Sequence, residues 1–335
     1  MSNLRRRVDE KATETGFAGV VRLERSGVVE LDAAYGLADR AHGIPMTTDT
    51  RLGMASGSKT FTALVTMRLV EQGLLSLSTA ARDVLGADLP LIADDVTIEH
   101  FLSHRSGIGD YLDEDVLDSE DYPMPVSVHR LMTTEDFLPI LDGYPTKFPA
   151  GERFSYCNGS FVVLALIAER LTDSSYHDLV RELVCSPAGM TRTDFLRSDA
   201  LPGTAALGYV EVEGQWRTNV FHLPVIATGD GGAYTTTSDM SRFWEALMSG
   251  RIVTAESLAE MRRPRSEPDP GQSDCYGLGF WVSSDSPEIT MSGGDAGVSF
   301  WSSHNPVRGT TATVIGNTTD GAWPVAELIG SWAAG

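Results

Sequence analysis

The stretch Leu52-Gly53-Met54-Ala55-Ser56-Gly57-Ser58-Lys59-Thr60-Phe61-Thr62-Ala63-Leu64, running on through Val65, Leu69, Val70 and Leu74, reads as a helix that begins at a serine. Apolar residues at Phe61, Leu64, Val65, Leu69 and Val70 recur at helical spacing, and the small polar run Ser56-Gly57-Ser58 before them resembles an N-cap region. Residues three apart share a helix face, so Ser56 and Lys59 are expected side by side, with the serine next to the partial positive charge of the first-turn N–H groups. The lysine itself is informative. Of 26 basic residues, only Lys11, Lys59 and Lys147 are lysines. Arginine keeps its proton in proteins, whereas burial lowers the pKa of a lysine, so a lysine one turn from a helix-start serine suits proton acceptance. An ordinary solvated lysine is the plain alternative.

Outward from this helix, residues 18–23 and 28–36 are short β-prone runs separated by Arg25-Ser26-Gly27, a hairpin signal, so the chain is expected to open with a sheet. From about 76 to 200 helical patterning dominates, at 98–102, 134–141, 160–171 and 176–184, punctuated by Gly and Pro. Strand-like runs return from about 205, at 207–212, 277–282, 298–302 and 311–315, with helices near 238–248 and from 325 onward. A sheet split between the two ends of the sequence, with a helical insertion, is an α+β plan.

Composition narrows the function classes. A 335-residue chain that is 42% hydrophobic can bury a sizeable core. A formal net charge of -20 repels nucleic acid phosphate and anionic lipid, so neither is an expected partner. Arg5-Arg6-Arg7 is followed by Val8-Asp9-Glu10-Lys11, where a signal peptide would carry its apolar core, which gives a cytoplasmic expectation. Cys157, Cys185 and Cys275 are odd in number and widely spaced, which suits reduced thiols. His100 and His104, four apart, lack a third ligand, and Gly229-Asp230-Gly231-Gly232 lacks the setting of a nucleotide loop, so neither metal nor cofactor is expected.

Two further stretches carry chemistry. Phe148-Pro149-Ala150-Gly151-Glu152-Arg153-Phe154-Ser155-Tyr156-Cys157-Asn158 is a turn leading to Tyr-x-Asn before an apolar helix. A phenol beside a cation can exchange a proton, and an amide two residues on can orient a substrate; half-buried packing is the bland reading of Tyr156. Thr290-Met291-Ser292-Gly293-Gly294-Asp295-Ala296-Gly297-Val298 is a strand with small residues, where a substrate can approach closely and an N–H can hold an oxyanion, or where a bulge or turn simply lies.

In this order, the three stretches resemble the serine β-lactamase and penicillin-binding-protein superfamily, in the branch of class C β-lactamases, D-alanyl-D-alanine carboxypeptidases, D-aminopeptidases and related esterases. The resemblance covers most of the chain. It includes Gly19-Val20-Val21, Tyr35-Gly36-Leu37-Ala38-Asp39, Met54-Ala55-Ser56-Gly57-Ser58-Lys59, Leu102-Ser103-His104-Arg105-Ser106-Gly107-Ile108, Pro187-Ala188-Gly189-Met190, Gly231-Gly232-Ala233-Tyr234 and Tyr276-Gly277-Leu278-Gly279. It implies an antiparallel sheet flanked by helices, with residues 1–75 and 205–335 as the sheet-bearing lobe, 76–204 as a mostly helical lobe, and the active site at their interface. It further implies Ser56 as nucleophile, Lys59 as its proton partner, Tyr156 as base or relay, Asn158 as a lysine and substrate contact, and the N–H groups of Ser56 and Gly294 as oxyanion hole. Whether lysine or tyrosine takes the proton stays open.

One departure matters. Where relatives that recognise a substrate carboxylate carry Lys-Thr-Gly or His-x-Gly, this chain has Met291-Ser292-Gly293. A charge-assisted contact worth roughly 1.5–3 kcal/mol is absent, unless an arginine such as Arg308 supplies it. The expectation is therefore a serine hydrolase acting through a Ser56 acyl-enzyme on a small ester, amide or lactam, most like an esterase, with Met291 as a soft acyl lining. Carboxypeptidase, D-aminopeptidase, class C-type β-lactamase and acyl transfer to another acceptor are alternatives within that chemistry. A catalytically idle binding scaffold is the alternative outside it. The acidic runs Asp113-Glu114-Asp115 and Asp118-Ser119-Glu120-Asp121 would favour an amine-bearing substrate if they faced the cleft, and are otherwise a solvated loop.

Overall fold

In the computed structural model, which describes residues 3–116, 122, 124–268 and 273–334, strand β1 (Gly19–Arg25) turns back into β2 (Val28–Tyr35) through Ser26 and Gly27. Both turn residues have positive φ, 49° and 77°, as a two-residue hairpin loop of the favoured handedness demands. The other strands of the main sheet come from the far end of the chain: β3 (Asp274–Tyr276), β4 (Trp281–Ser283), β5 (Ile289–Asp295), β6 (Val298–Asn305) and β7 (Thr310–Gly316). Their order is β2-β1-β7-β6-β5-β4-β3, every neighbouring pair antiparallel. β1 and β7 pair from Gly19↔Gly316 to Arg25↔Thr310, so the two ends of the sequence are joined in one sheet.

Five helices frame it: α1 (Asn3–Thr15), α2 (Lys59–Glu71), α3 (Asn158–Thr172), α4 (Thr237–Met248) and α5 (Trp323–Ala334). Side chains alternate along a strand, and the sheet sorts them into two cores. Val21, Leu23, Ala312 and Val314 pack with Leu4 and Val8 of α1 and Val325 and Ile329 of α5. Val20, Ile289, Met291, Phe300 and Ile315 face the opposite way, toward α2, α3 and α4. Helix α2 is buried nearly all round, including Phe61, Leu64, Val65, Met67 and Leu69, as expected of a central helix. Phe61, Phe161 and Phe243 each have 0% exposure, and burial of such a side chain contributes about 1.5–3 kcal/mol.

The α+β plan holds, with local differences. The chain opens with α1, not a sheet: its only apolar stripe is Leu4, Val8 and Ala12, four apart among charges, reinforced by Arg5–Asp9 and Arg6–Glu10 pairs at 2.9 and 2.8 Å. The run 277–282 is not one strand, because Gly279 at φ 82° kinks the chain where any Cβ would collide with Ala63 of α2. The helical run 176–184 is an α-turn Tyr176–Val180 continued by a π-helical turn Arg181–Cys185, and 134–141 begins as a 3₁₀ turn. All three cysteines are free and buried. Among the described residues, no helix is long and apolar enough to cross a membrane. The run Asp118-Ser119-Glu120-Asp121 lies outside the described residues.

Candidate active site

Ser56 lies not in α2 but in the 3₁₀ turn Ala55–Ser58 that leads into it. Ser58, the residue before α2, makes no side-chain cap; its Oγ donates instead to Ala55 O at 2.9 Å. Ala55 is left-handed at φ 43°, an unfavourable conformation for a residue with a Cβ. Its geometry is held from several sides: Gly232 N–H donates to Ala55 O at 3.2 Å, and Met54 N–H donates to Ala233 O at 2.8 Å. Opposite, β5 passes so close at Gly293 that a Cβ there would lie 2.8 Å from Ser56 N and 2.5 Å from Gly57 N. The serine is therefore raised on a strained turn clamped between β5 and the Gly231–Ala233 segment.

Lys59 is 1% exposed, and its Nζ reaches Ser56 Oγ at 2.9 Å, Asn158 Oδ1 at 2.7 Å and Asp230 O at 2.6 Å. Lys11 and Lys147 pair with carboxylates, Glu14 at 2.9 Å and Asp113 at 2.6 Å, whereas these three partners of Lys59 are neutral oxygens. Burial lowers its pKa, against the opposing pull of Asp230, Glu114, Asp110 and Asp295. A neutral amine has two N–H groups for the Asn158 and Asp230 oxygens and one lone pair left for the Ser56 hydroxyl proton. The arrangement suits proton acceptance.

Tyr156 lines the same cleft, its ring centroid 4.9 Å from Lys59 Nζ. Burial and the Glu114 charge push its pKa well above 10, against a hydrogen bond with Ser56 that pulls it down. The phenol is held protonated at neutral pH. Asn158 makes the expected lysine contact, but its amide N–H groups donate to Leu112 O and Glu114 Oε1, each at 2.9 Å. The expected substrate contact is therefore not displayed, since both amide protons are committed to the protein.

Ser56, Tyr156, Asn158, Ser292, Gly293 and Gly294 line one cleft of about 660 Å³. Met291 does not. Strand alternation turns it into the core at 1% exposure, with Ile289, while Ser292 and Gly294 are the more exposed residues. The expectation of Met291 as an acyl lining is corrected accordingly. Arg308 supplies no charge there either, lying exposed in the β6–β7 turn at the opposite end of β6 from Val298, which does line the cleft. His100 and His104 are engaged separately, His100 Nδ1 accepting Thr97 N–H at 3.2 Å and His104 Nδ1 accepting Cys157 N–H at 3.0 Å. Among the described residues, no group of three or more His, Cys, Asp or Glu is placed to hold a metal.

The sequence reading missed several carboxylates. Asp110 caps α3 from 48 residues away, accepting Asn158 N–H at 2.5 Å and Gly159 N–H at 2.9 Å where Cys157 offers no side-chain cap. Burial raises its pKa to about 6 despite these donors. Asp230 accepts the Tyr111 hydroxyl, and burial raises its pKa as well. Asp295 accepts its neighbour Ala296 N–H at 2.8 Å, and burial raises its pKa to about 7.

Asp295 gives a pH-dependent prediction. Its folded pKa is above the ordinary 3.8, so between about 4 and 7 the folded state holds a proton the unfolded state has lost, and stability falls as pH rises through that window. Asp295→Asn removes the titration. Thermal melts should show the variant gaining a few degrees on the wild type between pH 4.5 and pH 8. A difference independent of pH would rule this out.

A mixed fold with a large antiparallel sheet packed against a buried helix that starts at Lys59, just after the turn carrying Ser56, defines a class, and similarity to known proteins agrees with it. The chain belongs to the beta-lactamase family, whose model matches residues 4–333. It is similar to a penicillin-binding protein from Bacillus halodurans of known crystal structure, with TM-score 0.91 and 35% identity, covering 97% of this chain and 99% of that one. It is also 30% identical to a D-aminopeptidase of Brucella anthropi over 79% of this chain and 49% of the relative, and 29% identical to esterase EstB of Burkholderia gladioli over 76% and 72%. The chain spans between about half and just under two thirds of the length of several curated relatives.

Proposed function

We propose that the chain is a serine hydrolase that forms an acyl-enzyme on Ser56 from an ester or amide and releases the acyl group to water. The observation that carries this is the 2.9 Å contact with Ser56 Oγ of a buried Lys59 whose other hydrogen-bond partners are neutral oxygens. Lys59 takes the Ser56 proton as Oγ attacks the carbonyl carbon. The Ser56 and Gly294 N–H groups stabilise the developing oxyanion, and the Tyr156 phenol passes a proton to the departing alkoxide or amine. Water then repeats the attack with the roles reversed. In the same reading, residues 1–75 and 205–335 form the sheet-bearing lobe and 76–204 the helical lobe, with the cleft between them. An idle scaffold has no need of a strained Ala55 or a lysine desolvated against a serine.

A fluorophosphonate probe should label Ser56 in the wild type, read by peptide mass, and Ser56→Ala should lower kcat on para-nitrophenyl acetate by about 10⁴-fold or more. An unlabelled, inert wild type would end the hydrolase reading.

Charge narrows the substrate. Glu114, Asp230, Asp295 and Asp320 line the cleft, and among the described residues no lysine or arginine does. With Met291 buried, an anionic β-lactam or free C-terminal carboxylate finds no lysine or arginine on the cleft wall among the described residues, only the imidazole of His222. Neutral acyl donors are favoured, as for an esterase. The same carboxylates support a second reading, an amide whose acyl part bears an amine. A panel of para-nitrophenyl esters, D-amino acid amides and a chromogenic cephalosporin should rank the cephalosporin last.

A further inference from the structure

His104 is a titratable residue in contact with the site that the mechanism above does not use. It is 0% exposed and left-handed at φ 55°. Its carbonyl accepts Ser155 N–H at 2.9 Å and its Nδ1 accepts Cys157 N–H at 3.0 Å, so one residue grips the backbone on both sides of Tyr156. Its ring stacks on the Tyr156 ring, centroids 4.3 Å apart and planes 27° apart. The rings of Tyr276, Phe161 and Phe154 enclose it at 4.7, 4.9 and 5.7 Å.

The imidazole is an expensive choice for packing alone. Accepting at Nδ1 places the proton of the neutral ring on Nε2, and Nε2 is buried with no hydrogen-bond partner among the described residues. The positive φ adds backbone strain for a residue with a Cβ. A phenylalanine or leucine would fill the space without the orphaned N–H. What only a flat acceptor ring provides is the combination of a floor under Tyr156 and an acceptor for the peptide that follows it. Residues 154–157 form no helix or strand, so little else in the local backbone fixes the tyrosine.

We infer that His104 is the positioning residue of Tyr156, holding its phenol in register with Ser56 and Lys59 through the ring stack and the Cys157 N–H. This rests on the assignment of Tyr156 to proton transfer. Displacement of a reacting group by about 1 Å costs about a hundredfold in rate, so His104→Ala should lower kcat on para-nitrophenyl acetate by about that factor, with KM within about threefold. His104→Asn keeps an acceptor and suits the left-handed backbone, so it should recover roughly tenfold of the loss, and it carries the test if the alanine variant fails to fold.

The decisive measurement is a double-mutant cycle with Tyr156→Phe on the full chain, with melts confirming folding. In the phenylalanine background, His104→Asn should cost no more than about twofold, because the hydroxyl it positions is gone. A normal loss in Tyr156→Phe with multiplicative loss in the double variant overturns this proposal alone. So does a raised KM at unchanged kcat. A Tyr156→Phe variant with wild-type kcat overturns the tyrosine assignment and this proposal together.

Discussion

Lys59→Met is expected to lower kcat by about 10²–10⁴, the range that general-base catalysis contributes, while the protein stays folded. Methionine is close to lysine in length and volume, so the space between Phe161 and the Tyr156 ring, whose centroids lie 5.8 and 4.9 Å from Lys59 Nζ, stays filled. Two acceptors lose their donor: Asn158 Oδ1 and Asp230 O, each left to cost about 1–3 kcal/mol unless water enters from the adjoining cleft. Against that, the variant no longer buries a polar amine, whose desolvation is the largest influence on the Lys59 pKa. The net change in melting temperature should be small beside the change in rate. Lys59→Arg sharpens the point, because guanidinium supplies charge and donors but does not release a proton at working pH, and it should be as inactive as methionine. Stopped-flow acylation and peptide mass after fluorophosphonate treatment separate a lost base from a lost fold. A Lys59→Met variant retaining a tenth of wild-type kcat would remove lysine from the proton path and shift that role to Tyr156.

The parts of this site that sequence made legible are those whose partners are close in the chain. Ser56 and Lys59 are three apart, Tyr156 and Asn158 two apart, and in each pair the backbone alone brings the side chains near one place. The order of these pairs and of the Gly293-Gly294 strand then sufficed for a family resemblance, and with it the antiparallel sheet. What could not be read depends on the third dimension. Asp110 caps a helix that starts 48 residues later, and a lone carboxylate after Gly109 has no periodicity to announce it. Asp230 acts on Lys59 through its carbonyl oxygen, an atom every residue carries. The orientation of Met291 followed from strand parity, but the small residues around it give no alternating pattern from which to fix that parity, and a slip by one residue reverses every side chain. Helix α1 was hidden for a related reason: three apolar residues four apart among charges are a thin stripe, readable only once the sheet face they cover is known.

Gly293→Ala should be the most damaging single-methyl change at the site, although it adds no charge and removes no functional group. The ideal Cβ at this position collides with Met54 O and falls 2.5 Å from Gly57 N and 2.8 Å from Ser56 N, all backbone atoms with no rotamer through which to yield. Backbone on one side is β5, locked to β6 through Gly293↔Phe300 and its neighbours. On the other it is the turn carrying Ser56, whose Ala55 already sits at φ 43°. Overpacking of this kind costs about 1–3 kcal/mol, and the part that cannot relax moves the nucleophile. A displacement near 1 Å carries a rate loss of about a hundredfold, so the variant should show both a lowered melting temperature and a slower acylation of Ser56. Gly294→Ala is the internal control. Its Cβ would meet Trp323 Cζ2 at 3.4 Å, ordinary van der Waals contact, and nothing in the Ser56 turn. Because alanine keeps the backbone N–H proposed for the oxyanion hole, that variant should melt within about a degree of the wild type and keep its acetyl ester activity, losing only bulkier acyl groups that need the space beside Trp323. Equal damage from the two neighbours would mean that β5 acts through its general flexibility, and that the close approach of Gly293 to the Ser56 turn does not set the position of the nucleophile.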